Sequence, residues 1–206
     1  MLENLFLKEE EETNFVYIFI LSAIISIIAL ALTNYVIKFQ QGLLTVFIIA
    51  LASAYPIIRF LRQEAREDEY IEKKKNEEFL LKRHAKEIGM YLSFFLGIVA
   101  VFSVAYFMLP PDFFSIQLDT IASITGRATR GGLFNQIVIN NLRVFSMTFL
   151  LSFLVSAGML FILVWNASVF GVFLANRAQS IASVPVYALA YLPHGLIEIG
   201  AYILAG

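Results

Sequence analysis

The sequence predicts an all-α protein, a polytopic transmembrane helical bundle of about six membrane segments with a charged cytoplasmic helical loop and a short external amphipathic segment. Three observations carry that prediction. Of the 206 residues, 59% are hydrophobic and only 15% are charged, with a mean hydropathy of +0.77, against about 45–50% apolar and about 25% charged residues in ordinary soluble domains. The apolar residues fall in long blocks, several of them long enough to cross a hydrocarbon core of roughly 30 Å at about 1.5 Å per helical residue. The charges concentrate instead in one stretch: nine of the 15 Lys and Arg and eight of the 16 Asp and Glu lie between Arg59 and Glu87. Such a chain needs lipid as its solvent, and one membrane domain is the expected unit.

Phe15 to Ile37 is apolar apart from a few small polar residues and tyrosines, and is read as the first span. It follows the acidic run Glu9 to Glu12 rather than a basic leader, so a retained helix is expected in place of a cleaved signal peptide. Lys38-Phe39-Gln40-Gln41-Gly42 forms a polar turn, and Leu43 to Leu61 is the second span, interrupted by Pro56 near its end. Residues 1–61 are thus an acidic tail and a transmembrane hairpin.

Residues 62–87 contain no Gly or Pro and read as a charged helical linker that extends the flanking spans into solvent. Their Lys and Arg place this linker, and with it the N-terminus, on the cytoplasmic side of a multi-pass cell-membrane protein. His84, among Lys82, Arg83 and Lys86, reads as a surface histidine, since neighbouring positive charge disfavours a bound cation.

Residues 88–206 form the C-terminal membrane domain. Ile88 to Leu109 is the third span and ends at Pro110-Pro111. Residues 112–141 cannot span, because Asp112, Asp119, Arg127 and Arg130 interrupt them and Gly131-Gly132 divides them. Phe114, Leu118 and Ile121 recur at helical spacing, as do Phe134, Ile137 and Val138, which predicts short helices lying in the interface or a small cap packed over the bundle. Leu142 to Asn176 is almost unbroken apolar sequence and too long for one crossing, so a turn is expected at Trp165-Asn166, between a span over 143–164 and a shorter segment over 167–184 that spans or is re-entrant. The sequon Asn166-Ala167-Ser168 lies within this apolar stretch and is not expected to be glycosylated. Pro185 to Gly206 is the last segment.

Between Leu142 and Gly206 the ionisable side chains are Arg143, Arg177, His194 and Glu198. A charge at membrane depth costs about 2.5–3.5 kcal/mol on insertion scales, so each should face the bundle or reach an interface. His194 and Glu198 are four residues apart, on one face of a continuous helix. Pro193 removes a backbone donor beside them and Gly195 permits local unwinding, which is tolerated only where a broken helix is buried in protein or lines a wet cavity. Two readings follow: a polar clasp between helices, with Arg177 or an asparagine as the partner of Glu198, or a proton- or ion-responsive site of a small transporter or channel. One imidazole and one carboxylate are too few donors for a metal centre. No serine-nucleophile elbow, phosphate loop or dinucleotide fingerprint occurs, so neither catalysis nor a cofactor is expected, and a net charge of -1 with no cysteine argues against nucleic-acid binding and excludes thiol chemistry. Asn140-Asn141 and Asn166 bracket an apolar stretch with amides that cap or cross-link helices, and Gly171 permits close helix approach.

Together, Asn140-Asn141, Asn166 with Gly171, and Pro193-His194-Gly195-Leu196-Ile197-Glu198 resemble the motifs of the stage II sporulation protein M family. The resemblance covers about residues 140–206, and its Pro-His-Gly-x-x-Glu portion is the most specific part. Ala167 stands where the family usually has Gly directly after the asparagine matched by Asn166, and the family tends to carry further apolar sequence beyond the point where this chain ends, at Gly206. The resemblance implies a membrane scaffold that is not itself an enzyme; the expectation for this chain is a non-enzymatic scaffold, with membrane lipids, membrane-associated proteins and further copies of itself as partners, engaged through residues 62–87 or 112–141.

Overall fold

The computed structural model describes residues 15–37, 40–73, 85–125 and 158–191. Regular structure among them is helical throughout: α1 (Phe15–Tyr35), α2 (Gln41–Lys73), α3 (Ala85–Met108), a 3-10 turn (Pro111–Phe114) leading into α4 (Ser115–Thr125), then α5 (Gly158–Ala178) and a 3-10 turn (Ile181–Ser183) leading into α6 (184–191). Four stretches are long and apolar enough to cross a membrane: Phe15–Tyr35, Gln41–Phe60, Lys86–Met108 and Leu160–Ala178. The first three coincide with the spans expected from the sequence to within a few residues.

The solvent that these helices require is legible in α1. Its buried residues are Ser22, Ser26, Ala29, Leu30 and Thr33, whereas Ile27 and Ile28 are 56% and 61% exposed. A helix in water would turn the isoleucines inward and the hydroxyls out. Here small residues let backbones approach, as they do in membrane bundles where lipid is as apolar as leucine. Ser22 Oγ donates to the Phe19 carbonyl at 2.9 Å, Ser26 Oγ to that of Ser22 at 2.7 Å and Thr33 Oγ1 to that of Ala29 at 2.9 Å, so the inward hydroxyls are satisfied within their own helix.

The four long helices pack as a ring in which α1 and α5 each touch both α2 and α3. Phe15 lies against Gly89, and Phe19 with Ser22 lies against Gly97, so α1 and α3 run parallel. A Cβ at Gly97 would meet the Ser22 hydroxyl and come within 2.5 Å of the Phe19 carbonyl oxygen, so glycine sets the separation of these two helices. Helix α2 runs back between them in sequence. The hydroxyls of Thr33 and Thr45 are 2.7 Å apart and Gln41 Nε2 donates to the Thr33 carbonyl at 3.0 Å, pinning the α1–α2 turn, in which Gln40 takes a left-handed φ of 45°. Replacing Thr33 with Val should lower the unfolding free energy by only about 0.6 kcal/mol, the average for an interhelical hydrogen bond in a membrane, as read from unfolding in mixed detergent.

The fold bears on three stretches read from the sequence. Helix α2 runs through Pro56, as a span over Leu43–Leu61 requires, and on to Lys73, because a proline within a helix deletes one backbone bond while the neighbouring turns persist. Within the stretch read as a linker, 62–73 continues α2 and Ala85 begins α3, while 74–84 lie outside the described residues. The turn expected at Trp165-Asn166 is corrected, since α5 runs unbroken across both residues. Asn166 Nδ2 donates to the Ile162 carbonyl at 2.8 Å, one turn back, so its amide joins its own helix instead of ending it. The chain breaks instead at Gln179, whose φ of 60° is the left-handed conformation that terminates a helix.

Residues 112–125 pack against the bundle. Phe113, Phe114, Gln117 and Ile121 are buried, and α4 rests on α2 and α5 at the end of the bundle that holds the α1–α2 turn. The Phe114 ring meets those of Phe102 and Tyr106 on α3, with centroids 6.3 and 5.8 Å away.

Candidate functional site

Helices α3 and α5 meet without intervening side chains at Gly171. A Cβ there would stand 2.8 Å from the Val99 carbonyl oxygen, 2.9 Å from Phe102 Cβ and 3.3 Å from the Ser103 nitrogen. The close approach lets Ser103 Oγ donate to the Gly171 carbonyl at 3.0 Å, a buried bond between two membrane helices. Near the ends of the same helices the Tyr106 hydroxyl lies 3.4 Å from Asn176 Oδ1, a long contact in an exposed position.

Arg177 occupies the last turn of α5, where a cation complements the carbonyl end of the helix. Its guanidinium carbon is 5.7 Å from the centroid of the Phe173 ring, which in turn receives the edge of Tyr191 at 5.0 Å. The guanidinium is exposed. Tyr191 belongs to α6, whose Val184, Ala188 and Tyr191 pack on the bundle while Val186 and Leu189 face outward. This grouping is a seam closed by glycine and serine at its centre and rimmed by Tyr106, Asn176 and Arg177. Its chemistry is that of packing and of a polar membrane interface: a fixed helix pair with a cation, an amide and a phenol at its edge.

Of the residues singled out from the sequence, Gly171 is at the centre of this seam and Arg177 is at its rim. Asn166 is half-buried on α5, bonded to its own helix and about 16 Å along the axis from Arg177, so the three do not form one cluster. Asn140, Asn141, Pro193, His194, Gly195 and Glu198 lie outside the described residues, as do 126–141.

Ser103, Tyr106, Gln117 and Gly42 were not anticipated. Nothing around Ser103 distinguishes it from the other small residues of an apolar span. Gln117 did leave a signal, because it is the polar member of the face formed by Phe114, Leu118 and Ile121. It is fully buried, and neither its Oε1 nor its Nε2 has a hydrogen-bond partner among the described residues.

Comparison with known proteins matches residues 90–206 to the family model described as Stage II sporulation protein M. No curated protein and no solved structure matches the chain. The matched region begins inside α3 and contains α4 and α5, and therefore both sides of the seam, while α1 and α2 precede it.

Proposed function

The chain belongs to the stage II sporulation protein M family, and from that premise we propose that it is a non-enzymatic integral membrane scaffold that organises membrane-associated proteins, itself included. The observation that carries this proposal is the continuity of α2. The apolar span ends at Phe60 while the same helix continues to Lys73, so an arm of about 20 Å leaves the bundle without a hinge. In sequence that arm, Leu61 to Lys73, is charged on all sides, the composition of a helix that bridges to something outside its own core. A helix continuous with a span presents its surface at a fixed height and angle from the membrane, which is what a scaffold requires of a docking element.

The same proposal includes six membrane segments, with both termini and residues 62–87 on the cytoplasmic side. The alternation of α1, α2 and α3 supports placing the N-terminus and the linker on one side, and the nine Lys and Arg between Arg59 and Glu87 favour the cytoplasm for it.

The chain has no cysteine, so Glu64→Cys supplies a single cross-linking handle on the arm. In native membranes this variant should form adducts with the same proteins that co-purify with the unmodified chain, and a neutral helical replacement of 62–73 should lose them. A chain that is strictly monomeric and forms no adduct would end the scaffold proposal. A proton or ion flux in proteoliposomes that Glu198→Gln abolishes without unfolding would transfer the assignment to transport.

A further inference from the structure

We propose that Pro111–Thr125, the 3-10 turn together with α4, is a lid that opens and closes over the turn end of the bundle, and that Gln117 sets the balance between its two positions. The lid joins the bundle through a non-helical joint. Pro110 is extended, with φ −59° and ψ 144°, and Pro111 follows it, so no helical hydrogen bonds connect α3 to α4 through this joint.

Two groups of residues on the closed face act in opposite directions. Phe113 and Phe114 are 2% and 0% exposed and pack against each other with ring centroids 5.0 Å apart, tilted at 55°, while Phe114 continues onto Phe102 and Tyr106. These contacts hold the lid down. One turn later, Gln117 is carried into the same interface with a carboxamide that loses water on both its polar atoms and gains no partner among the described residues. Buried polar groups in native proteins are nearly always bonded, and an exception calls for a reason. Opening returns this amide to water, so Gln117 opposes closure in proportion to the cost of its desolvation.

The receiving surface is shaped for this closed position. The Gln117 amide lies against Gly42 in the first turn of α2, where a Cβ would collide with Oε1 and stand 2.8 Å from the Phe113 carbonyl oxygen. The amide end can swing aside, but the carbonyl moves only with the lid. Gly42 is therefore the seat of the lid, and its missing side chain permits closure. Opening also uncovers the Phe102 and Tyr106 rings on α3. None of this depends on the scaffold role.

Hydrogen exchange of the full-length protein in lipid nanodiscs, read over Ser115–Thr125 and over α3 as an internal reference, tests the lid. Gln117→Leu keeps the volume and removes the polar group, so lid exchange should slow by roughly tenfold while α3 is unchanged. Gly42→Ala should speed lid exchange, again without change in α3. Lid exchange that is unaltered or faster in Gln117→Leu would overturn the proposal, since it would mean that the amide is satisfied when the lid is closed. Exchange that rises in α3 together with the lid in Gly42→Ala would overturn it as well, because the bundle would then be opening as one unit.

Discussion

Gly171→Leu should leave little folded, monodisperse protein after extraction into mild detergent, and Gly171→Ala should fold with a clearly lowered thermal midpoint. The expected order follows from the atoms that surround the missing side chain. A single Cβ at this position already comes within 2.8 Å of a backbone carbonyl oxygen and 2.9 Å of another Cβ, and neither atom can yield without moving α3. Overpacking of this kind costs about 1–3 kcal/mol for small additions. The three further carbons of leucine cannot be accommodated unless α3 and α5 separate, which also breaks the Ser103 to Gly171 bond. In lipid no hydrophobic driving force reunites them, because exposure to hydrocarbon is not penalised as exposure to water is. Size-exclusion profiles and thermal unfolding followed by circular dichroism would read the series. A leucine variant as stable as the wild type would show that the helices do not touch at Gly171. Ser103→Ala, which removes the bond and leaves the backbone contact intact, should behave nearly as wild type.

Phe114→Ala should detach the lid while the four long helices stay assembled. The ring is fully buried and is shared among Phe113, Phe102 and Tyr106, and truncating a phenylalanine in such a place costs about 3–5 kcal/mol. That penalty falls on one short helix joined to the bundle through two prolines, so it should appear as lost exchange protection across Ser115–Thr125 and as proteolytic cleavage within the lid. Protection in α1 and α3 should persist. Unchanged protection in the lid would show that α4 is held by contacts other than its aromatic anchor.

Much of the architecture was legible in the chain because membrane spans answer to one variable. A run of about 20 apolar residues is stable as a helix in hydrocarbon whatever its neighbours are, which is why Phe15–Tyr35, Gln41–Phe60 and Lys86–Met108 could be placed before any contact was known. The prolines at 110 and 111 ended α3 as proline chemistry requires. Asn166 misled for a local reason. Asparagine disfavours helices where its amide competes for nearby backbone groups, whereas here that amide donates one turn back within its own helix.

The site was legible only in part. Gly171 stood out because a glycine in a span signals close approach, yet its partners Val99, Phe102 and Ser103 lie about 70 residues earlier in the chain, and no local pattern links them to it. The α1 stripe of Ser22, Ser26, Ala29 and Thr33 is readable in hindsight as a small-residue face, but Gly97 as its counterpart is not.

The sequence by itself determined the solvent and the number and placing of the first spans, since both follow from summed transfer free energies along the chain, to which each residue contributes independently of the others. Which helices touch, where glycine and serine close the seam, and that Gln117 is carried under a lid were decided only in the tertiary structure. Those are properties of pairs of surfaces, and in lipid the pairing energy comes from shape and from single hydrogen bonds, neither of which is written in the hydropathy of either partner.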